Sequence, residues 1–269
     1  MPSHYLAIDV GSTSVTAVII DIDTQSVVGS STIANNAETT SASDKRIGRS
    51  EWDLDRMTEL AVKNAAELIE RTNAQPAAIG ITGQQQGLQL LDDDLKTIGS
   101  FISWQDQRSK DLLPNENRTY LDVMGELGGA VIEENGLPAF ENTGCPIVTG
   151  YTAPNLFWLK SNNELPQNVH ATTAPEFVVS RLTDTRPVTD PTDAVSWGVY
   201  DLNQLGWDYN LIDSLGLDRT LFSNLAESCT PAGLLTKTMA DRLGVATGIP
   251  VSVASGDHQC SFAGTVTDY

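Results

Sequence analysis

The chain has 269 residues, enough for one large domain with a sizeable core, and its 40% hydrophobic and 19% charged content excludes a mainly disordered protein. Thirty-five acids against sixteen bases give a formal charge of −19, a field that repels nucleic-acid phosphates and anionic lipid. No apolar run approaches the roughly 20 residues of a membrane span, and Asp9 interrupts the stretch where a signal peptide would need its hydrophobic segment. The expectation is a soluble, cytoplasmic protein. Cys145, Cys229 and Cys260 are odd in number and far apart, which argues against a disulfide framework or zinc knuckle and for ordinary reduced, buried thiols. His4, His170 and His258 are equally scattered, with no H-E-x-x-H.

In chain order, Tyr5 to Val10, Val15 to Ile20 and Val27 to Ile33 read as three strands separated by short polar turns, an antiparallel meander. Residues 34 to 50 are small and polar and read as a mobile loop. Asp53 stands at an N-cap position before Leu54, Met57, Ala61, Ala65, Leu68 and Ile69, which share one stripe at helical period, so a helix is expected to about Arg71. A buried strand over Ala77 to Thr82 leads to Gly83 and three glutamines. Leu88 to Leu91 and Ile98 to Ser103 suggest a hairpin. Further on, helices are expected over Pro154 to Lys160, Glu176 to Leu182, Leu211 to Leu215 and Thr238 to Leu243, and strands over Val195 to Tyr200 and Pro250 to Ala254. This mixture predicts an α/β or α+β fold without repeats.

Three strands end in unusual polar tips. The first is Asp9-Val10-Gly11-Ser12-Thr13-Ser14. A carboxylate at a strand end can hold hydrated Mg²⁺, and the N–H groups and hydroxyls after Gly11 can face phosphate oxygens. The same residues also suit an ordinary hairpin turn. No Walker sequence and no G-x-G-x-x-G occurs, so any phosphate loop is of another class.

The second tip is Gly83-Gln84-Gln85-Gln86-Gly87, followed by Trp104-Gln105-Asp106-Gln107-Arg108. Amides, a carboxylate and a guanidinium can fork onto adjacent hydroxyls while an indole covers C–H surface. Extended backbone would put Trp104, Asp106 and Arg108 on one face; a surface Asp–Arg pair beside a core tryptophan is the alternative. The third tip, Gly256-Asp257-His258-Gln259, offers an acid suited to a general base, a metal ligand or a helix cap.

Together these segments resemble the N-terminal domain of the FGGY carbohydrate kinases, the group with xylulokinase, sedoheptulokinase and glycerol kinase. Leu6 to Ser14 is similar to the phosphate-binding strand and turn of that family, Gly83 to Gly87 to its G-Q-M-H-G loop, and Trp104 to Arg108 to its W-x-D-x-R segment. Arg181-Leu182-Thr183 through Thr189-Asp190 resembles its R-L-T-G…T-D stretch, and Ser255 to Gln259 its G-D-x-Q turn. The resemblance implies a ribonuclease-H-like fold of the actin and hexokinase type, a five-stranded mixed sheet with helices on both faces. It implies ATP-dependent phosphorylation of a sugar or polyol hydroxyl. Asp257 would be the base, Asp9 would help hold Mg²⁺–ATP, and Gly11, Ser12, Thr13 and Ser14 would contact phosphate. Gln84, Gln85, Gln86, Trp104, Asp106, Arg108 and Asp257 would meet the sugar. Gln85-Gln86 stands where Met-His is usual, and a neutral amide cannot titrate near pH 7 as histidine can.

Members of the family are nearly twice as long. The resemblance therefore implies that residues 1–269 are the sugar-binding N-terminal domain, that a C-terminal ATP-binding domain is absent, and that this piece alone is inactive. The expected partners are a small sugar and Mg²⁺–ATP, with no nucleic acid and no membrane, and a homodimer is conceivable for the complete protein. A non-catalytic sugar-binding pseudokinase is the rival reading. An actin-like assembly protein is a third, with no use for the glutamine and tryptophan segments.

Overall fold

The computed structural model describes residues 4–266. Strands His4–Val10, Ser14–Asp21 and Ser26–Ala34 form the expected meander, each antiparallel to the next. Ile79–Gly83 then lies parallel to His4–Val10, and both Pro250–Ser252 and Ser255–Gly256 run parallel to Ile79–Gly83 as one interrupted strand. These account for the five expected positions. Pro231–Leu234 adds a sixth at the edge, antiparallel to Pro250–Ser252.

Alternation along the strands decides which face is covered. Leu6, Ile8, Val10, Val15, Ala17, Ile19, Ile79 and Ile81 are all buried, whereas Tyr5 and Asp9 on the opposite side are exposed. Helix Leu54–Thr72 packs over the meander, and Ala174–Thr183 packs beside it over Ile79–Gly83. Lys237–Leu243 joins the same layer against Leu54–Thr72. The mixed sheet with packed helices is the expected α/β architecture, and Pro191–Ala194 and Asp257–Thr265 pack at the carboxyl end of Ser255–Gly256.

Helix Leu54–Thr72 begins where its sequence says it should. Asp53 accepts from the Arg56 N–H at 2.9 Å, and Asn73 closes the helix in the left-handed region. Buried Asn64 fixes it to the sheet, donating to the carbonyls of Val15 and Ser31 and accepting from the Ser31 hydroxyl.

A second core lies under residues 88 to 225, built on Tyr120, Phe157, Trp197, Tyr200, Trp207 and Phe222. Two expectations change here and in the 34–50 segment. Val195 to Tyr200 forms a 3-10 turn, Val195–Trp197, broken by Gly198 at φ +80°, and only Tyr200–Asp201 pairs as strand. The 34–50 segment carries a helix, Ala42–Arg46, and is anchored: Asn35 donates through its side chain to the Gly11 carbonyl at 2.9 Å. Polar composition marks loops, but the same side chains supply such anchors. No helix among the described residues is long and apolar enough to cross a membrane.

Candidate functional site

Three parallel strands place their carboxyl ends side by side. Asp9 pairs with Thr82 and Val10 with Gly83; Thr82 in turn pairs with Ser255 and Gly83 with Gly256. The Thr82 hydroxyl also donates to the Ser255 carbonyl at 2.8 Å. All three polar tips therefore open on one end of the sheet, the usual position for a ligand crevice in a parallel arrangement. Gly83 is required by the crowding, since a Cβ there would stand 2.7 Å from the Val10 carbonyl oxygen.

The crevice is a cavity of about 440 Å³ lined by Asp9, Gly11, Ser12, Thr13, Ser14, Gln84, Gln85, Gln86, Trp104, Asp257 and His258. Of the residues expected at a site, all these meet; Asp106 and Arg108 do not.

The first turn is built for display. The Gly11 N–H is spent on the Ser14 carbonyl at 3.0 Å, so it is not a phosphate donor in this conformation. Asn35 clamps the loop from outside, its N–H on the Thr13 carbonyl and its amide on the Gly11 carbonyl. The Ser12 and Thr13 N–H groups make no backbone bond among the described residues and remain as donors. Partial burial, reinforced by the charge of Asp257, raises the Asp9 pKa above the ordinary carboxylate range. No cluster of three or more His, Cys, Asp or Glu able to hold a metal occurs among the described residues. A cation at Asp9 would need other oxygens, from phosphate and water, to complete its shell.

The three glutamines have different tasks. Gln84 is 3% exposed, and neither its Oε1 nor its Nε2 has a partner. A buried primary amide left unpaired costs about 1–3 kcal/mol, and its two ends offer one donor and one acceptor. Gln85 is held instead: its Nε2 donates to the Thr192 carbonyl at 2.6 Å, and its Oε1 stands 2.7 Å from the His258 Nδ1. Gln86 adopts φ +71°, uncommon for a residue with a Cβ, and its N–H donates to the Ser196 hydroxyl at 3.0 Å.

Trp104 is 41% exposed and presents its ring to the cavity. Asp106 and Arg108 lie behind it. The Ser103 carbonyl accepts from the Asp106 N–H, which turns the chain, and Arg108–Lys110 continues as a 3-10 helix. The assumption of extended backbone fails, and with it the shared face. Asp106, fully buried, accepts from the Ser50 N–H and from Arg108 Nε at 2.8 Å each. Arg108 also pairs with Glu51 at 2.7 Å and stacks on the Trp158 ring. This ion pair supports the wall that carries Trp104. Gly150, at φ +84°, passes so close to the Trp104 carbonyl that no side chain fits between them.

Asp257 opens helix Asp257–Thr265 and borders the cavity, with one carboxyl oxygen accepting from the His258 N–H at 2.8 Å. The His258 ring is 3.5 Å from that carboxyl oxygen.

Sequence reading missed the support behind these tips. Asp190, read only as part of a resemblance, is fully buried and accepts from the hydroxyls of Thr192, Ser228 and Ser255. Thr192 in turn accepts from the Gly256 N–H at 2.9 Å. Burial pushes the Tyr151 phenol above the usual range. The cluster of Asp190, Thr192, Asp193 and Ser196 within seven residues was the available signal. Arg181 lies away from the cleft, over Phe177 and paired with Asp55. All three cysteines are free; Cys145 is half-buried, while Cys229 and Cys260 are exposed, contrary to the expected burial.

Residues 4–264 match the model of the FGGY family of carbohydrate kinases, N-terminal domain. A xylulose kinase of Staphylococcus xylosus is 23% identical over 99% of this chain and 52% of its own length. The crystal structure of gluconate kinase from Lactobacillus acidophilus superposes with a TM-score of 0.80 at 21% identity, over 96% of this chain and 49% of that one. That of Plasmodium falciparum glycerol kinase with ADP gives 0.78 at 20% identity, over 97% and 50%. The chain spans about half the length of the relatives it matches.

Proposed function

Since this chain belongs to the FGGY family of carbohydrate kinases, we propose that it forms the sugar-binding half of an ATP-dependent kinase acting on a hydroxyl of a sugar or polyol. The observation that carries this reading is the convergence of Asp9 and Asp257, from opposite ends of the chain, on one cavity walled by Trp104 and the unpaired Gln84 amide. A pure binding module has use for the indole and the amide but not for two facing acids.

In this reading Asp257 accepts the proton of the attacking hydroxyl as its oxygen forms the new bond to the γ-phosphorus, and ADP departs with the cleaved oxygen. Asp9 would help hold Mg²⁺, whose positive charge offsets both the carboxylate and the phosphates. Ser12, Thr13 and Ser14 would donate to phosphate oxygens. Gln84 and Gln86 would orient sugar hydroxyls, with Trp104 against the C–H face. Asp106 and Arg108 enter only through the wall they brace. The remaining nucleotide contacts are proposed to come from a second domain, whose closure would exclude water; residues 1–269 alone would then transfer negligible phosphate. The relatives named for xylulose, gluconate and glycerol leave the acceptor to be found by a panel of ketoses, aldoses, sugar acids and polyols.

The test uses the complete product of the parent gene with Mg²⁺–ATP. Asp257→Asn should lower turnover by about 10²–10⁴-fold while leaving affinity for the accepted sugar nearly unchanged. Undiminished turnover in that variant would overturn the reading. Sugar binding with no transfer by the unmodified full-length protein would favour the pseudokinase.

A further inference from the structure

Behind the glutamine loop lies a pair of acids that the reaction does not use. Glu176, on helix Ala174–Thr183, and Asp193, on the short helix Pro191–Ala194, are both completely buried. Their carboxyl groups meet at Thr173, whose N–H donates to Glu176 and whose hydroxyl donates to Asp193. Glu176 Oε2 accepts from the Thr172 hydroxyl and the Thr173 N–H, while its Oε1 is buried with no donor. Asp193 Oδ2 accepts from the Thr173 hydroxyl at 2.5 Å and Oδ1 from the Ser196 hydroxyl at 3.3 Å.

Among the described residues no cation offsets the pair. The next charged group is Asp190, which caps the same short helix and adds to the repulsion. The bases on neighbouring elements are engaged elsewhere: Arg181 with Asp55 and the Leu95 carbonyl, Arg186 with Asp93, and His170 with Asp93 and the Thr220 carbonyl. Burial first, and then the charge of Glu176, drive the Asp193 pKa up; burial raises that of Glu176 as well. Two carboxylates enclosed together without a counter-charge cannot both ionise.

The pair is connected to the cavity. The Ser196 hydroxyl that donates to Asp193 receives the Gln86 N–H, and Thr192, one residue before Asp193, holds both Gln85 and the Gly256 N–H. We propose that Asp193 and Glu176 share a single proton at neutral pH, with the hydrogen on Asp193 directed to Glu176, and that Asp193 is thereby a positioning residue for the Gln84–Gln86 loop. Its bearing on sugar recognition rests on the function proposed above; the shared proton and the loop geometry do not.

The sign of the pH dependence follows. The folded state keeps a proton that the unfolded chain releases near pH 4, so stability from this pair is greatest in acid and declines as pH rises toward the folded value. At higher pH still, the second ionisation would force the carboxylates apart and release Ser196 from Gln86.

Two measurements on the intact chain test this, and neither uses a sugar. Infrared spectroscopy at pH 7 should show a protonated-carboxyl carbonyl band that disappears in both Asp193→Asn and Glu176→Gln, because each amide supplies the donor without a titratable proton. Absence of the band in the wild type, or its survival in both variants, would overturn the shared proton. Amide exchange at Gln86 should stay slow in Asp193→Asn and speed up by roughly tenfold in Asp193→Ala, the loss of about one hydrogen bond. Should the alanine variant fail to fold, Ser196→Ala reads the same path and should speed Gln86 exchange with the infrared band intact. Unchanged protection of Gln86 in either foldable variant would remove the positioning role. If the kinase reading failed, these outcomes would stand unaltered.

Discussion

Asp9 and Asp257 face one cavity because Thr82 stands between their strands, paired to Asp9 on one side and to Ser255 on the other. The charge of Asp257 accordingly adds to partial burial in raising the Asp9 pKa. Replacing Asp257 with asparagine removes that charge while keeping the shape. The Asp9 pKa should then fall toward, without reaching, the ordinary value of about 3.9, because burial remains. Carboxyl titration by NMR in the two proteins checks this; an unmoved Asp9 would mean that the acids do not sense each other.

The raised Asp9 pKa also predicts how a cation behaves. A metal bound through Asp9 competes with a proton, so its affinity should weaken as pH falls through the elevated Asp9 value and level off above it. Titration of Mg²⁺ together with ATP across that range, with Asp9→Asn for comparison, measures it. The expected result is a pH-dependent affinity in the wild type and a weak, flatter one in the variant; equal profiles would exclude Asp9 as a ligand.

Trp104 and Asp106 are near neighbours with opposite expected phenotypes. Trp104→Ala should change stability by no more than about 0.5 kcal/mol, as suits a half-exposed side chain, and weaken sugar binding by on the order of tenfold. Asp106→Ala strands the Ser50 N–H and leaves buried Arg108 with Glu51 as its remaining acid partner, and should destabilise by about 2–4 kcal/mol. Urea unfolding alongside binding titrations separates the two. Equal effects on both readouts would restore the view that they share one face.

Gln84 should behave as a residue kept for its ligand. Gln84→Leu removes both unpaired buried atoms at similar volume, so the free protein should be as stable as the wild type or more so, by about 1–2 kcal/mol. Sugar affinity should drop by at least about tenfold. A clear loss of stability in the variant would show that the amide is already satisfied without ligand.

Gly150→Ala asks for a left-handed backbone and for room beside the Trp104 carbonyl, and neither is available to alanine. The αL conformation alone costs about 1–2 kcal/mol, and relief of the contact would displace Trp104. Lower unfolding midpoint and weaker sugar binding should appear together; a variant matching the wild type in both would refute the tight packing.

Much of the framework was legible because it is local. The meander follows from apolar alternation with short polar turns, and helix Leu54–Thr72 from its stripe and its Asp53 cap. Gly244 ends Lys237–Leu243 in the left-handed region as a stop residue does. The errors share a different origin. Trp104 to Arg108 was assigned one face on the premise of extended backbone, and a turn closed by Ser103 undid it. The 34–50 segment, read as mobile from its polarity, owes its order to partners such as Gly11 that no local window contains.

By itself the amino-acid order determined which chemical groups stand at the strand ends and in what succession. It placed Asp9, the glutamines, Trp104 and Asp257 at tips where short-range turn propensities expose them. Only the tertiary structure decided which of these groups share a cavity, which are sealed behind it, and which acids must keep a proton. Desolvation and Coulomb energy depend on distance in space, and that distance is set by strand register and packing between segments remote in the chain.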